Sequence, residues 1–238
     1  MKVAAYPASR LARRAAGTSS MAPTPTPIAR RGLLLVQYAH GHRAERLRSI
    51  LRVRQASRSL LLNPCEATQL ISAVRAAEKV PGALAEVGVA SGTSARMIAE
   101  QSPNKVLHLF DTFSGLPKPT NLDSKKFSES DFNFKLDQVR AYLDGLHVVF
   151  HPGMFPAETG KEVENERFSF VHLDVDLYES TLHSLAFFYP RLSAGGIIVS
   201  HDYVTAEGVN RAFEEFFRHK PEPVIELTGY QCLVVKGS

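Results

Sequence analysis

The chain has 238 residues, of which 44% are hydrophobic, 22% charged and 9% aromatic, with a formal net charge of +4. That length allows a full hydrophobic core, and the composition excludes collagen-like, disulfide-scaffold and wholly disordered chains. Aliphatic runs such as Leu33 to Val36 fall far short of the ~20 residues a membrane-spanning helix needs. Cys65 and Cys232 form no C-x-x-C pair, which predicts reduced thiols in a cytoplasmic protein.

Charge is unevenly spread. Residues 1–60 hold 11 Arg and one Lys against the single acid Glu45, whereas the rest carries 16 basic and 23 acidic side chains. The basic character therefore belongs to an arm. Without an aromatic-interleaved basic patch in the body, no nucleic-acid partner is expected, and no membrane contact. Residues 1–42 read as a disordered arm, since the Pro/Thr alternation from Met21 to Pro27 supports neither helix nor ladder. Its Arg-rich, acid-poor composition also suits a transit peptide, and Met21 could be a later start. Arg30-Arg31 resembles a twin-arginine signal, but the apolar run behind it stops at Gln37, short of the ~7–15 residues required. Residues 43–62 predict a basic amphipathic helix with Ala44, Leu47, Ile50 and Leu51 on one stripe.

The domain is expected over residues 63–238. Asn63 as N-cap, Pro64 as first helical residue and Glu66 three after the cap predict a helix that ends at Pro81-Gly82. Strands then alternate with helices: strands at 83–89, 106–110, 148–150, 168–173 and 197–200, helices at 93–100, 136–143, 157–163, 179–189 and 209–217. Val224 to Leu227 and Cys232 to Val235 leave no room for a crossover helix and should pair antiparallel. The expectation is an α/β fold: a doubly wound, mostly parallel seven-stranded sheet with an antiparallel C-terminal hairpin, Rossmann-like and of the methyltransferase type.

Ligands on such sheets bind beyond the carboxyl ends of the strands. The first strand ends in Glu86-Val-Gly88-Val-Ala-Ser-Gly92, an E-x-G-x-x-x-G spacing rather than the G-x-G-x-x-G of a pyrophosphate site. An acid before the turn suits a cationic amino group, and Asp111, directly after the second strand, suits ribose hydroxyls. Together Glu86, Gly88, Gly92 and Asp111 predict S-adenosylmethionine better than NAD. The fourth strand ends in Asp174-Val-Asp176 and the fifth in His201-Asp202. Asp174, His201 and Asp202 could converge as two oxygen donors and one nitrogen around a divalent cation, or serve instead as caps and a salt-bridged pair.

The combination Glu86 to Gly92, Asp111-Thr-Phe-Ser-Gly-Leu-Pro117, Leu173 to Thr181, Gly195-Gly196 and His201-Asp-Tyr203 resembles the macrocin O-methyltransferase family, over roughly residues 63–236. The resemblance implies a metal-dependent class I methyltransferase acting on a sugar hydroxyl of a natural product. It places cofactor contacts on Glu86, Gly88 and Asp111, with Ser114 adjacent, and metal carboxylates on Asp174 and Asp202. Mg²⁺ is the expected ion, and Asp174 and His201 the expected catalytic groups. The family commonly carries two adjacent acids where this chain has His201-Asp202, so His201 is either a ligand favouring softer ions or a general base. Relatives commonly form homo-oligomers. A related metal-dependent hydroxylase and a non-catalytic sugar- or nucleotide-binding module are the competing expectations. The segment Lys118 to Asp131 reads either as a mobile lid or as a variable surface loop.

Overall fold

The computed structural model describes residues 62–238 together with Arg48 and Ile50. The expectations for the arm, and for most of the 43–62 helix, lie outside the described residues. Within that segment Arg48 and Ile50 are helical, and Ile50 is buried in the core.

Helix α1 (Pro64–Ala77) begins where local chemistry demands it. Asn63 Oδ1 accepts from the N–H groups of Cys65 and Glu66, and Glu66 Oε2 accepts from Asn63 N–H, a reciprocal capping box behind a proline at N1. Its buried stripe is the expected Leu70, Ile71, Val74 and Ala77.

Seven strands follow: β1 (Ala83–Val87), β2 (Leu107–Asp111), β3 (Val148–Pro152), β4 (Phe168–Leu173), β5 (Leu192–Ser200), β6 (Ile225–Glu226) and β7 (Cys232–Val235). They form one sheet in the order β3-β2-β1-β4-β5-β7-β6. The first five are mutually parallel, and β7 runs antiparallel to both β5 and β6. The helices α2 (Thr93–Gln101), α3 (Leu136–Tyr142), α4 (Tyr178–Phe188) and α5 (Glu207–Phe217) cover its faces. Because strand residues alternate, Leu84, Leu107, Leu109 and Phe170 pack with α1 and α2. Ala85, Val87, Phe110 and Val171 pack with α4 and α5 on the other face. Phe110, Phe155, Phe168 and Phe188 form a continuous aromatic cluster on that second face. Among the described residues no helix is long and apolar enough to cross a membrane.

Apart from shifts at element ends, such as α1 closing at Ala77 rather than at Pro81-Gly82 and β1 at Val87 rather than Val89, three elements differ from the sequence expectation. Strand β5 starts at Leu192, not Ile197, since the ladder continues through Gly195 and Gly196 by way of an irregularity opposite Phe168 and Phe170. Only Gly160–Val163 of the expected 157–163 helix is helical, as a single 3₁₀ turn. Strand β6 shrinks to two residues at the sheet edge.

Candidate active site

Strand order reverses between β1 and β4, and a cavity of ≈ 430 Å³ opens beyond the carboxyl ends of these strands. At one end, the turn after β1 is built by shape and by one carboxylate. Gly88 has φ +86°, and a Cβ there would lie 1.9 Å from the Asp174 carbonyl oxygen. Only glycine lets the β1 turn cross the tip of β4 at that distance. Asp111 Oδ2 accepts from Val89 N–H at 2.7 Å and Ala90 N–H at 2.9 Å, and Oδ1 from Phe113 N–H at 2.7 Å. Ala90 and Phe113 both hold positive φ, so one side chain secures two strained turns. A carboxylate offers about four lone-pair sites, so Asp111, which lines the cavity, keeps acceptor capacity for a ligand hydroxyl.

The other expected cofactor residues are placed differently. Gly88 lines the cavity, whereas Glu86, Gly92 and Ser114 do not. The space that a Cβ on Gly92 would fill belongs to Val139, Tyr142 and Leu143, so this glycine serves helix packing. Glu86 is fully buried, with Oε1 2.8 Å from Nδ1 of His172, its register neighbour on β4. Burial pushes its carboxyl up, against the lowering influence of His172.

At the opposite end the tips of β4 and β5 bring Asp174, His201 and Asp202 together, with one ligand atom from each within 4.8 Å of the others. His201 Nδ1 lies 2.6 Å from Asp202 Oδ2 and 3.3 Å from Asp174 Oδ1. Burial alone would pull the His201 imidazole down, but the carboxylates of Asp174, Asp202 and Glu66 outweigh it and hold the ring protonated. Burial likewise works to raise Asp202, yet His201, Thr205 and Lys126 keep it below the ordinary carboxylate range. Asp176, at φ +61° and lining the same cavity, is pushed up to about 8 by burial and by its neighbours Asp174 and Asp202. The cluster therefore holds more acid than its own bases neutralise. A divalent cation that displaced the Nδ1 proton would fit this donor set of two carboxylates and one imidazole.

Sequence reasoning missed two participants. Lys126 Nζ lies 3.0 Å from Asp202 Oδ1, and it comes from the 118–131 segment. Asp123 fastens that segment by accepting from Tyr178 N–H, and Ser124 does so by accepting from Glu207 N–H. The expected lid or surface loop thus caps α4 and α5, and a side chain on Gly208 would strike Asp123 Oδ1 at 2.5 Å. The second participant is Glu66, legible as a helix cap but not as a neighbour of His201. No local signal reveals either contact, since both join residues distant in the chain.

Residues 66–229 match the family model described as macrocin-O-methyltransferase (TylF). The 8-demethyl-8-(2,3-dimethoxy-alpha-L-rhamnosyl)-tetracenomycin-C 4'-O-methyltransferase of Streptomyces olivaceus is 33% identical over 53% of this chain and 55% of its own length. The demethyldecarbamoylnovobiocin O-methyltransferase of Streptomyces niveus is 26% identical over 58% of each chain. This chain spans just over half the length of either relative. In structure, the calicheamicin methyltransferase CalS11 matches with a TM-score of 0.64 at 20% identity, covering 90% of this chain and 95% of that one. The sheet order and antiparallel end strands are those of the class I methyltransferase fold.

Proposed function

The chain belongs to the macrocin-O-methyltransferase family, and from that membership we propose that it transfers a methyl group from S-adenosylmethionine to a hydroxyl of a sugar or glycosylated natural product, assisted by a divalent cation. The observation that carries this reading is the meeting, in one cavity, of a turn secured by Asp111 and the acidic cluster at the β4 and β5 tips.

Asp111 shapes a turn against which the nucleoside would lie, and its spare lone pair would be available to the ribose. Asp174, His201 and Asp202 would hold the cation, which would supply Lewis acidity toward the acceptor hydroxyl. The acceptor oxygen forms its bond to the methyl carbon as the carbon–sulfur bond breaks, leaving S-adenosylhomocysteine and one released proton. Asp174 and Asp202 border the place where that proton leaves. In-line displacement of this kind depends chiefly on holding two reactants in register, which the cavity between two rigid strand tips does well. The rhamnosyl and novobiocin-type acceptors named for the Streptomyces relatives make a rhamnosylated natural product the first acceptor class to try.

Calorimetric titration with S-adenosylhomocysteine, with NAD as control, tests the cofactor. Micromolar binding of the first and none of the second is expected. Binding of NAD alone would overturn the proposal. With glycosylated acceptors, methyl transfer should then fall when divalent ions are chelated and return when they are restored.

A further inference from the structure

Glu66 has duties beyond capping α1. Its Oε2 accepts from Asn63 N–H at 2.8 Å and lies 3.4 Å from His201 Nε2, while Oε1 accepts from Tyr230 N–H at 3.1 Å. One carboxylate, 1% exposed, therefore joins the start of α1, the tip of β5 and the turn between β6 and β7. The turn is shaped to receive it: Gly229 has φ +95°, and a Cβ there would stand 2.6 Å from Oε1. A carboxylate this deep is costly unless it is paired, and His201 is the ionisable group that faces it.

This arrangement fixes the imidazole. With Nε2 turned to Glu66, Nδ1 faces Asp202 Oδ2 at 2.6 Å and Asp174 Oδ1 at 3.3 Å. The 3.4 Å contact is an ion pair without hydrogen-bond geometry, and Nδ1 also faces carboxylates. A cation taking Asp174 and Asp202 would displace the proton from Nδ1, whereas Glu66, lying outside that donor set, remains to favour a proton on Nε2. Histidines that bind metals ordinarily donate their other N–H to a carboxylate or carbonyl, which sets the tautomer and the ring angle. We propose that Glu66 is a positioning residue that fixes His201 as an Nδ1 ligand, and that it thereby directs the site toward divalent transition ions rather than Mg²⁺. The proposal rests on the reading that Asp174, His201 and Asp202 hold a cation. An imidazole brings nitrogen into a donor set that Mg²⁺ would want as oxygen. Glu66 restores, one residue further out, the negative charge that a third carboxylate would have supplied.

The test titrates Co²⁺ alone into the metal-free full chain, read by its visible absorption bands and by calorimetric competition with Mg²⁺. Wild type should bind Co²⁺ more tightly than Mg²⁺, and Asp174→Asn should abolish Co²⁺ binding. Wild-type Co²⁺ binding by Asp174→Asn would defeat the cation site itself, whatever Glu66 does. With that site established, Glu66→Gln should weaken Co²⁺ binding about 10- to 100-fold and shift the bands. Unchanged affinity and bands would overturn the proposal. In a His201→Asp background the preference for Co²⁺ over Mg²⁺ should fall, and Glu66→Gln should bring no further loss. An equal loss in both backgrounds would mean that Glu66 acts only through the cap of α1, which also overturns it. Should Glu66→Gln fail to fold, long-range ¹H–¹⁵N imidazole spectra of the Zn²⁺-loaded wild type decide the matter. The metal is expected on Nδ1 of His201 with the proton on Nε2, and the opposite assignment defeats the proposal.

Discussion

Asp111 shows how much one side chain can settle. Its two oxygens take three backbone N–H groups, at Val89, Ala90 and Phe113, and two of those residues sit at positive φ without being glycine. Left-handed backbone costs about 1–3 kcal/mol per residue and persists only where surrounding contacts over-determine it. Here the contacts come from a single carboxylate. Asp111→Ala should therefore loosen both turns together, lowering stability by about 2–4 kcal/mol, since hydrogen bonds to charged groups are worth about 1.5–3 kcal/mol each and share one acceptor. The same substitution should weaken S-adenosylhomocysteine binding at least about tenfold, whereas Asp111→Asn, which keeps one accepting oxygen, should fall between. Urea unfolding and calorimetry read the two effects. Full retention of both stability and affinity in Asp111→Ala would mean that the turns hold themselves.

At the scale of elements, legibility depended on how local the deciding contact was. The start of α1 was readable because Asn63, Pro64 and Glu66 complete its cap within four positions. The starts of α4 and α5 carry no side-chain cap of their own. Asp123 and Ser124 bond their first N–H groups from a segment over 50 residues earlier. Without those partners visible, the 118–131 segment could be read as a loop but not as a clasp. The early part of β5 was hidden for another reason: Gly195 and Gly196 interrupt the apolar run that marks a buried strand, although the ladder passes through them. Metal-type donors were legible by type and by their place at strand ends. Their common neighbour Glu66 was not, because the turn that brings Tyr230 to it lies 164 residues away.

One element-level link lies outside the cavity altogether. His108 on β2 bonds His151 on β3 through Nδ1 and Nε2 at 2.9 Å, and His151 Nδ1 meets Glu162 Oε2 at 2.6 Å. With His151 Nδ1 toward the Glu162 carboxylate, its Nε2 is the atom that meets Nδ1 of His108. Burial, with His151 and His147 nearby, lowers His108 to about 4 from the ordinary 6.5. Between those values the unfolded chain binds the proton and the folded chain does not, so stability is complete above pH 6.5 and is lost as pH falls through the window. The loss by pH 5 should be about 2 kcal/mol. Urea unfolding at pH 7 and pH 5 should show it in the wild type and a smaller loss in His108→Leu. Identical pH slopes would remove His108 as the cause.

Across the whole molecule, the turn held by Asp111 and the acidic cluster sit on different strand tips and meet at one contact. The tips of β1 and β2 carry the turn that Asp111 holds, and the tips of β4 and β5 carry Asp174, His201 and Asp202. Where the tips of β1 and β4 touch, Gly88 lies against the Asp174 carbonyl with no space for a side chain. A change at the tip of β5 reaches the turn held by Asp111 through Asp174, whose carboxylate lies 3.3 Å from His201 and whose carbonyl meets Gly88, whereas a side chain at Gly88 would disturb both ends directly. Asp202→Ala removes a carboxylate that binds Lys126, Thr205 and His201, none of which touches the Asp111 network. S-adenosylhomocysteine affinity should stay within about twofold of wild type, while methyl transfer should fall by about 10²-fold or more as the acceptor oxygen loses its alignment. Wild-type turnover in Asp202→Ala would end the cation proposal. A matching loss of cofactor affinity would show that the two ends are coupled through the β1–β4 contact, and Gly88→Ala would then be expected to reproduce it.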